Sequence, residues 1–299
     1  MVLMLQFHPP GFGEKKIQTG LGTIAYYTPI SEPWTIDESL PPLIFLHSFG
    51  GGASAYEWSK VFPAFADTHR VIAPDLIGWG NSNHPSRSFR IEDYLITTME
   101  FIQQVATPPV TLVASSLTGA FAIRLAIQKP ELFRSLFLVC PSGFADFGQD
   151  AGRRIPLEII NIPLLDRAIY TVGATNDFAV RNFLEQFLFA ERDRVTPEMV
   201  EAYLESARQP NAEYAALSFL RGDLYFDLSL YLPQLSVPTS IVWGEHAQFT
   251  DFKLGARLAA LNPKLIQKFQ VIPDVGVLPH LEQPGTITGL LAGWLTMNQ

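Results

Sequence analysis

Ser116 has the setting in this 299-residue chain that most directly suggests chemistry. It stands in Val113-Ala114-Ser115-Ser116-Leu117-Thr118-Gly119, after an apolar run and before a stretch of helical composition. A serine on a sharp strand-to-helix turn presents its oxygen above the strand end. That oxygen attacks a carbonyl carbon well only when a positioned base takes its proton and an acid orients the base. Few bases are on offer. His246 lies in Val242-Trp243-Gly244-Glu245-His246-Ala247, and His280 in Gly276-Val277-Leu278-Pro279-His280-Leu281-Glu282-Gln283-Pro284. His246 reads as a solvent-facing loop residue or a displaced base, and His280 as a helix-start residue near the surface or a displaced base. Asp146 and Asp251 are candidate acids, whereas Glu282 reads as structural. The remaining histidines, His8, His47, His69 and His84, complete a set with no metal-ligand spacing. The single cysteine, Cys140, excludes an intrachain disulfide and cysteine-based zinc ligation. Gly50-Gly51-Gly52 is followed by neither a phosphate-binding loop nor a dinucleotide fingerprint. The expectation is a site without metal or cofactor.

The elements that must position these residues follow from hydrophobic pattern. Residues 15–19 and 23–28, separated by Gly20-Leu21-Gly22, read as an antiparallel hairpin at a sheet edge. Apolar runs at 43–46, 71–73, 110–114 and 136–139 are short and nearly continuous, as strands are when helices cover both sheet faces. Helical stretches at 55–65, 91–105 and 117–128 alternate with them, which makes a mostly parallel sheet. From about 142 to 231 no strand pattern appears. Helices are expected at 177–191 and at 197–207, the latter with Thr196 as N-cap and Pro197 at the first helical position. Strands resume at 239–243 and 269–272, with helices at 252–261 and 287–295. The fold class is therefore α/β: a core from residues 1–141 and 232–299, with 142–231 inserted as a helical cap.

Placed on those elements, the motifs resemble those of the α/β-hydrolase family over nearly the whole chain. The Ser116 segment is similar to the family's nucleophile elbow, Gly-x-Ser-x-Gly, with Ala114 and Thr118 at the two small positions. Leu43-Ile44-Phe45-Leu46-His47-Ser48-Phe49-Gly50-Gly51 resembles the strand and His-Gly loop that build half of an oxyanion hole, with Ser48 in place of glycine. That resemblance implies that the backbone N–H groups of Phe49 and Leu117 point at a developing oxyanion, and that His47 is structural. Ala73-Pro74-Asp75-Leu76-Ile77-Gly78-Trp79-Gly80-Asn81-Ser82 looks like the family's Pro-Asp-x-x-Gly-x-Gly-x-Ser loop. By the same resemblance the acid position holds Ala247 and the base position Val277, neither of which can carry a proton. Trp79 and the cap residues Phe144, Phe147, Phe178, Phe183, Phe187 and Phe189 can line an apolar pocket, or simply pack cap onto core.

Composition bounds the rest. The formal charge of −8 argues against non-specific nucleic-acid binding. No apolar run is long enough for a membrane-spanning helix, and the N-terminus lacks a basic segment typical of a secretory signal, so the expected location is cytoplasmic. Three functions remain open. One is a non-hydrolytic or crippled homologue that binds a small apolar ligand under the cap. Another is an esterase-like serine hydrolase that uses Ser116 with a displaced base such as His280 or His246. The third is a non-hydrolytic enzyme that polarises a carbonyl without covalent catalysis. The expected partner is a small apolar molecule or ester; a protein partner and the oligomeric state stay open.

Overall fold

A computed structural model describes residues 7–34, 36–149 and 165–298. The extreme N-terminus and residues 150–164 of the expected insertion lie outside them. The chain forms an eight-stranded sheet in the order β1-β2-β4-β3-β5-β6-β7-β8. Strands β1 (Phe12–Thr19) and β2 (Gly22–Pro29) form the expected edge hairpin, and β2 also runs antiparallel to β4 (Arg70–Pro74). The rest is parallel: β4 to β3 (Pro42–Leu46), then β5 (Val110–Ser115), β6 (Phe133–Val139), β7 (Thr239–Gly244) and β8 (Ile266–Ile272). Every residue of β5 and β7 is buried, as the continuous apolar runs require of strands covered on both faces.

Helix α1 (Ile91–Val105) buries one stripe that includes Leu95, Phe101, Ile102 and Val105. Helix α2 (Ser116–Gln128) is buried over most of its length, and the four-residue α8 (Pro279–Glu282) precedes the longer α9 (Pro284–Met297). Between β6 and β7 the described residues hold no strand and carry α3 (Leu165–Ala174), α4 (Asp177–Phe183), α5 (Pro197–Ala207) and α6 (Ala212–Arg221). Thr196 caps α5 as its sequence predicts, with its Oγ1 accepting from Met199 N at 3.3 Å. Helix α7 (Phe252–Ala259) lies between β7 and β8.

Two expectations are corrected. The helix expected over 55–65 is instead two tight turns, Ala55–Trp58 and Phe62–Phe65. Pro63 has no N–H for a continuous helix and disfavours helical geometry at the residue before it. The helix expected over 177–191 stops being regular at Phe183 and continues as one wide turn, Leu184–Leu188. Its last carbonyl and the amide beyond are claimed from elsewhere. Leu188 O accepts from Val277 N at 2.8 Å, and Ala190 N donates to Glu282 Oε2 at 3.0 Å.

Register brings the chemistry to one edge. Leu46 pairs with Ala114, Ser115 with Val139, Val139 with Val242, and Gly244 with Ile272. The loops after β3, β5, β6, β7 and β8 therefore leave the sheet side by side at its carboxyl edge, where open α/β sheets place their ligands.

Candidate active site

Helix α2 begins at the residue after β5 ends, and Ser116 takes the whole turn at φ 54°, a left-handed conformation costly for a side-chain-bearing residue. Gly119, one turn on, allows a close approach to the segment after β6, since a Cβ there would lie 3.0 Å from Pro141 Cβ. Thr118 is larger than the family's small residue, yet the turn keeps its geometry. Its buried hydroxyl lies 2.9 Å from His47 O and 2.7 Å from Ser115 O, so it ties the ends of β3 and β5 together.

The loop after β3 is held by two buried side chains. His47 Nε2 accepts from Leu76 N at 3.0 Å, which leaves Nδ1 to donate to Ser48 O at 2.7 Å; its role is structural. Phe49 is stacked on Trp79 with ring centroids 5.0 Å apart and packs against Tyr94. Leu117 is the second residue of α2, and the first turn of a helix leaves its N–H groups without intrahelical acceptors.

Above these residues lies a cavity of about 280 Å³. Ser48, Phe49 and Ser116 line it, and Val277, Phe144, Phe183, Phe187, Phe219 and Phe249 are among its apolar walls. Of the aromatic residues the sequence singled out, Phe144, Phe183 and Phe187 thus face the cavity. The others do not line it. Phe189 is buried in the core, Phe147 lies under the Arg257 guanidinium, Phe178 is 79% exposed, and Trp79 backs Phe49 with its Nε1 donating to Tyr94 Oη at 3.0 Å. Tyr170 and Phe219, from α3 and α6, were missed; nothing in one sequence says which stripe of a helix faces a cavity.

Val277 lies in the cavity wall with Ser116, while Ala247 is buried in the neighbouring loop. The two loops touch because position 244 is glycine: a Cβ there would lie 1.9 Å from Gly276 O. His246 N donates to Val275 O at 2.9 Å, which fixes the same contact. Among the described residues, the cavity lining includes no histidine, aspartate or glutamate.

The alternative acids and bases are placed elsewhere. His246 is exposed, and its Nε2 lies 3.9 Å from Glu245 Oε2. Glu245, His246 and Asp274 bring one ligand atom each within 4.8 Å of one another, but all three are exposed. Asp251 is the N-cap of α7, accepting from Leu254 N at 2.9 Å. Asp146 accepts from Ser142 Oγ at 2.6 Å and Leu228 N at 2.8 Å, pinning the segment after β6 to the one before β7; burial pushes its pKa up. Glu282 is structural as its sequence predicts, accepting from Gly276 N, Ala190 N and Arg194 Nη1, and burial pushes its pKa up as well.

His280 corrects the surface reading. It is completely buried, with its ring stacked 4.0 Å from that of Trp58. Its Nε2 lies 3.9 Å from Glu57 Oε2, beyond hydrogen-bond reach, and neither ring nitrogen has a hydrogen-bond partner. Burial lowers the His280 pKa, which favours the neutral imidazole. Glu57 was not foreseen. It is fully buried and accepts from Ser48 N and Ser48 Oγ, both at 2.7 Å, and from Tyr203 Oη at 2.8 Å. Burial acts to raise its pKa, but the Ser48 N–H is among the contacts that outweigh this and hold the carboxyl below its ordinary value. A glutamate beside Trp58 in the mostly apolar 55–65 stretch was the one available signal.

The chain as a whole is similar to known proteins. The uncharacterized hydrolase YugF of Bacillus subtilis (strain 168) is 25% identical over 262 residues, which span 85% of this chain and 89% of that protein. Lipase 1 of Psychrobacter immobilis is 26% identical over 247 residues, 81% of this chain and 72% of the lipase. The crystal structure of a serine hydrolase involved in carbazole degradation, the CarC enzyme, has the same fold. Its TM-score is 0.74 at 18% identity, covering 96% of this chain and 99% of that one. Among the described residues no helix is long and apolar enough to cross a membrane. Residues 43–288, from the first parallel strand into the last helix, match the family model described as the alpha/beta hydrolase family, and this chain belongs to that family.

Proposed function

We propose that this chain binds a small apolar carbonyl compound and does not hydrolyse it. In this reading residues 142–231 are a cap over the core, Ser116 and the N–H groups of Phe49 and Leu117 contact the ligand's oxygen, and Ala247 and Val277 are the vacated acid and base positions. The observation that carries the reading is the wall around Ser116. The cavity that Ser116 lines has Val277 and aromatic rings among its walls, and His280 and His246 do not line it. A serine without a base is a hydrogen-bonding group, not a nucleophile. Pocket apolarity favours a ligand with a hydrocarbon body and one carbonyl.

A second reading, an esterase-like hydrolase with a displaced base, is supported by the strained φ of 54° at Ser116, a cost that a vestigial residue has no need to bear. Titration calorimetry with 2-nonanone separates the two. Saturable binding by the native chain, lost when Val277→Trp fills the cavity, is the expected result. No binding up to the solubility limit of the ketone, together with Ser116-dependent turnover of p-nitrophenyl butyrate, overturns the first reading in favour of the second.

A further inference from the structure

Ser48 and Glu57 add a chemical preference to the cavity beyond its apolar shape. Ser48 replaces the glycine of the family's oxyanion loop and shares the cavity wall with Ser116. A hydroxyl has one proton, and that of Ser48 is directed at Glu57 Oε1, 2.7 Å away. The neighbouring Oε2 takes the Ser48 N–H at 2.7 Å, and Oε1 also takes the Tyr203 hydroxyl at 2.8 Å. An ionised carboxylate can only accept, so the Ser48 oxygen has lone pairs to offer the cavity and no proton. Turning the hydroxyl round would strip a buried carboxylate of a hydrogen bond. Backbone N–H groups at Phe49 and Leu117, by contrast, can only donate. In the proposed binding mode those donors stand beside one acceptor of fixed polarity.

We propose that the cavity selects a carbonyl group that carries its own hydrogen-bond donor, a primary carboxamide or an un-ionised carboxylic acid on an apolar chain. The carbonyl oxygen faces the N–H groups of Phe49 and Leu117, and the ligand's N–H or O–H donates to Ser48 Oγ. Ser48 is then a specificity-determining residue and Glu57 the residue that fixes its polarity. The inference rests on the ligand-binding reading above.

Octanamide and 2-nonanone are nearly isosteric and differ in whether NH₂ or CH₃ flanks the carbonyl. The readout is the ratio of their dissociation constants by calorimetry, ketone over amide. Ser48→Ala removes the acceptor and lowers that ratio about fivefold to tenfold, the worth of one hydrogen bond. Glu57→Gln gives a second, independent variant. The Ser48 N–H keeps the new amide oxygen facing it, because the opposite orientation sets two donors together. The amide nitrogen then takes the place of Oε1, donates to Ser48 Oγ and releases the Ser48 proton toward the cavity. The ratio is expected to fall at least as far as in Ser48→Ala. If both compounds bind and their ratio stays within twofold of native in whichever of the two variants folds, the selectivity inference is overturned while ligand binding stands. If neither compound binds the native chain, the ligand-binding reading fails and this inference with it.

Discussion

Placing an acid and a base at the two positions proposed to be vacated is the most demanding perturbation of this site. In Ala247→Asp/Val277→His the histidine enters the cavity wall that Val277 shares with Ser116, and the aspartate replaces a buried alanine in the loop beside it. Backbone bonds fix both loops independently of the substituted side chains. Val277 N donates to Leu188 O at 2.8 Å, Ala247 N to Gly244 O at 3.2 Å, and His246 N to Val275 O at 2.9 Å. The left-handed turn at Ser116 is already in place. A complete triad is worth up to about 10⁶ in kcat, or about 8 kcal/mol. A base misplaced by about 1 Å forfeits about 10² of that. The expected gain is therefore about 10⁴ in kcat over the unmodified chain. The assay is hydrolysis of p-nitrophenyl butyrate by the double variant and by the same protein carrying Ser116→Ala, with a melting curve to establish that both fold. A folded double variant within tenfold of its Ser116→Ala counterpart would refute the assignment of Ala247 and Val277 to the acid and base positions.

Other consequences follow from buried groups. Tyr203→Phe removes the hydroxyl by which α5 holds Glu57, a hydrogen bond to a buried charge worth about 2 kcal/mol, and should lower Tm by about 3–6 °C; a change under 1 °C would show that this strut contributes nothing. The Cys140 thiol is buried and its pKa is pushed up to about 12, so it should resist a thiol reagent at pH 8 in the native protein and react once guanidinium unfolds it. Rapid labelling of the folded chain contradicts this. His280 has its pKa lowered by burial below the ordinary 6.5, so the unfolded chain takes up its proton first as pH falls. The stability that His280 contributes is complete above pH 6.5 and is lost below it. Denaturant melts of native and His280→Gln protein at pH 8 and pH 5 should show their difference shrinking at the lower pH; a difference that grows contradicts the sign.

Much of the fold was legible because its signals are local. Continuous apolar runs read as buried parallel strands, the Gly20-Leu21-Gly22 turn as a hairpin, and Thr196-Pro197 as a helix start. The elbow was legible for the same reason, since Ser116 follows β5 directly. What could not be read depends on partners distant in sequence. Helix 177–191 is cut short because Val277 N donates to Leu188 O and Glu282 accepts from Ala190 N. His280 is stacked on Trp58, more than 200 residues earlier, so its local setting at a helix start pointed to the surface. Glu57, Ser48 and Tyr203 form one buried cluster from three separate segments. The aromatic residues between β6 and β7 carry helical spacing alone, which does not distinguish Phe183 in the cavity wall from Phe178 in solvent.

The central claim is that Ser116 has no working base. Turnover of p-nitrophenyl butyrate by the native chain against Ser116→Ala tests it most directly. Equal, near-background rates are the result this account predicts, because the described lining of the cavity that holds Ser116 includes Val277 and aromatic rings but no histidine, aspartate or glutamate. A native rate more than about 10³ above Ser116→Ala exceeds what hydrogen-bond donors and binding supply on their own, and would contradict it.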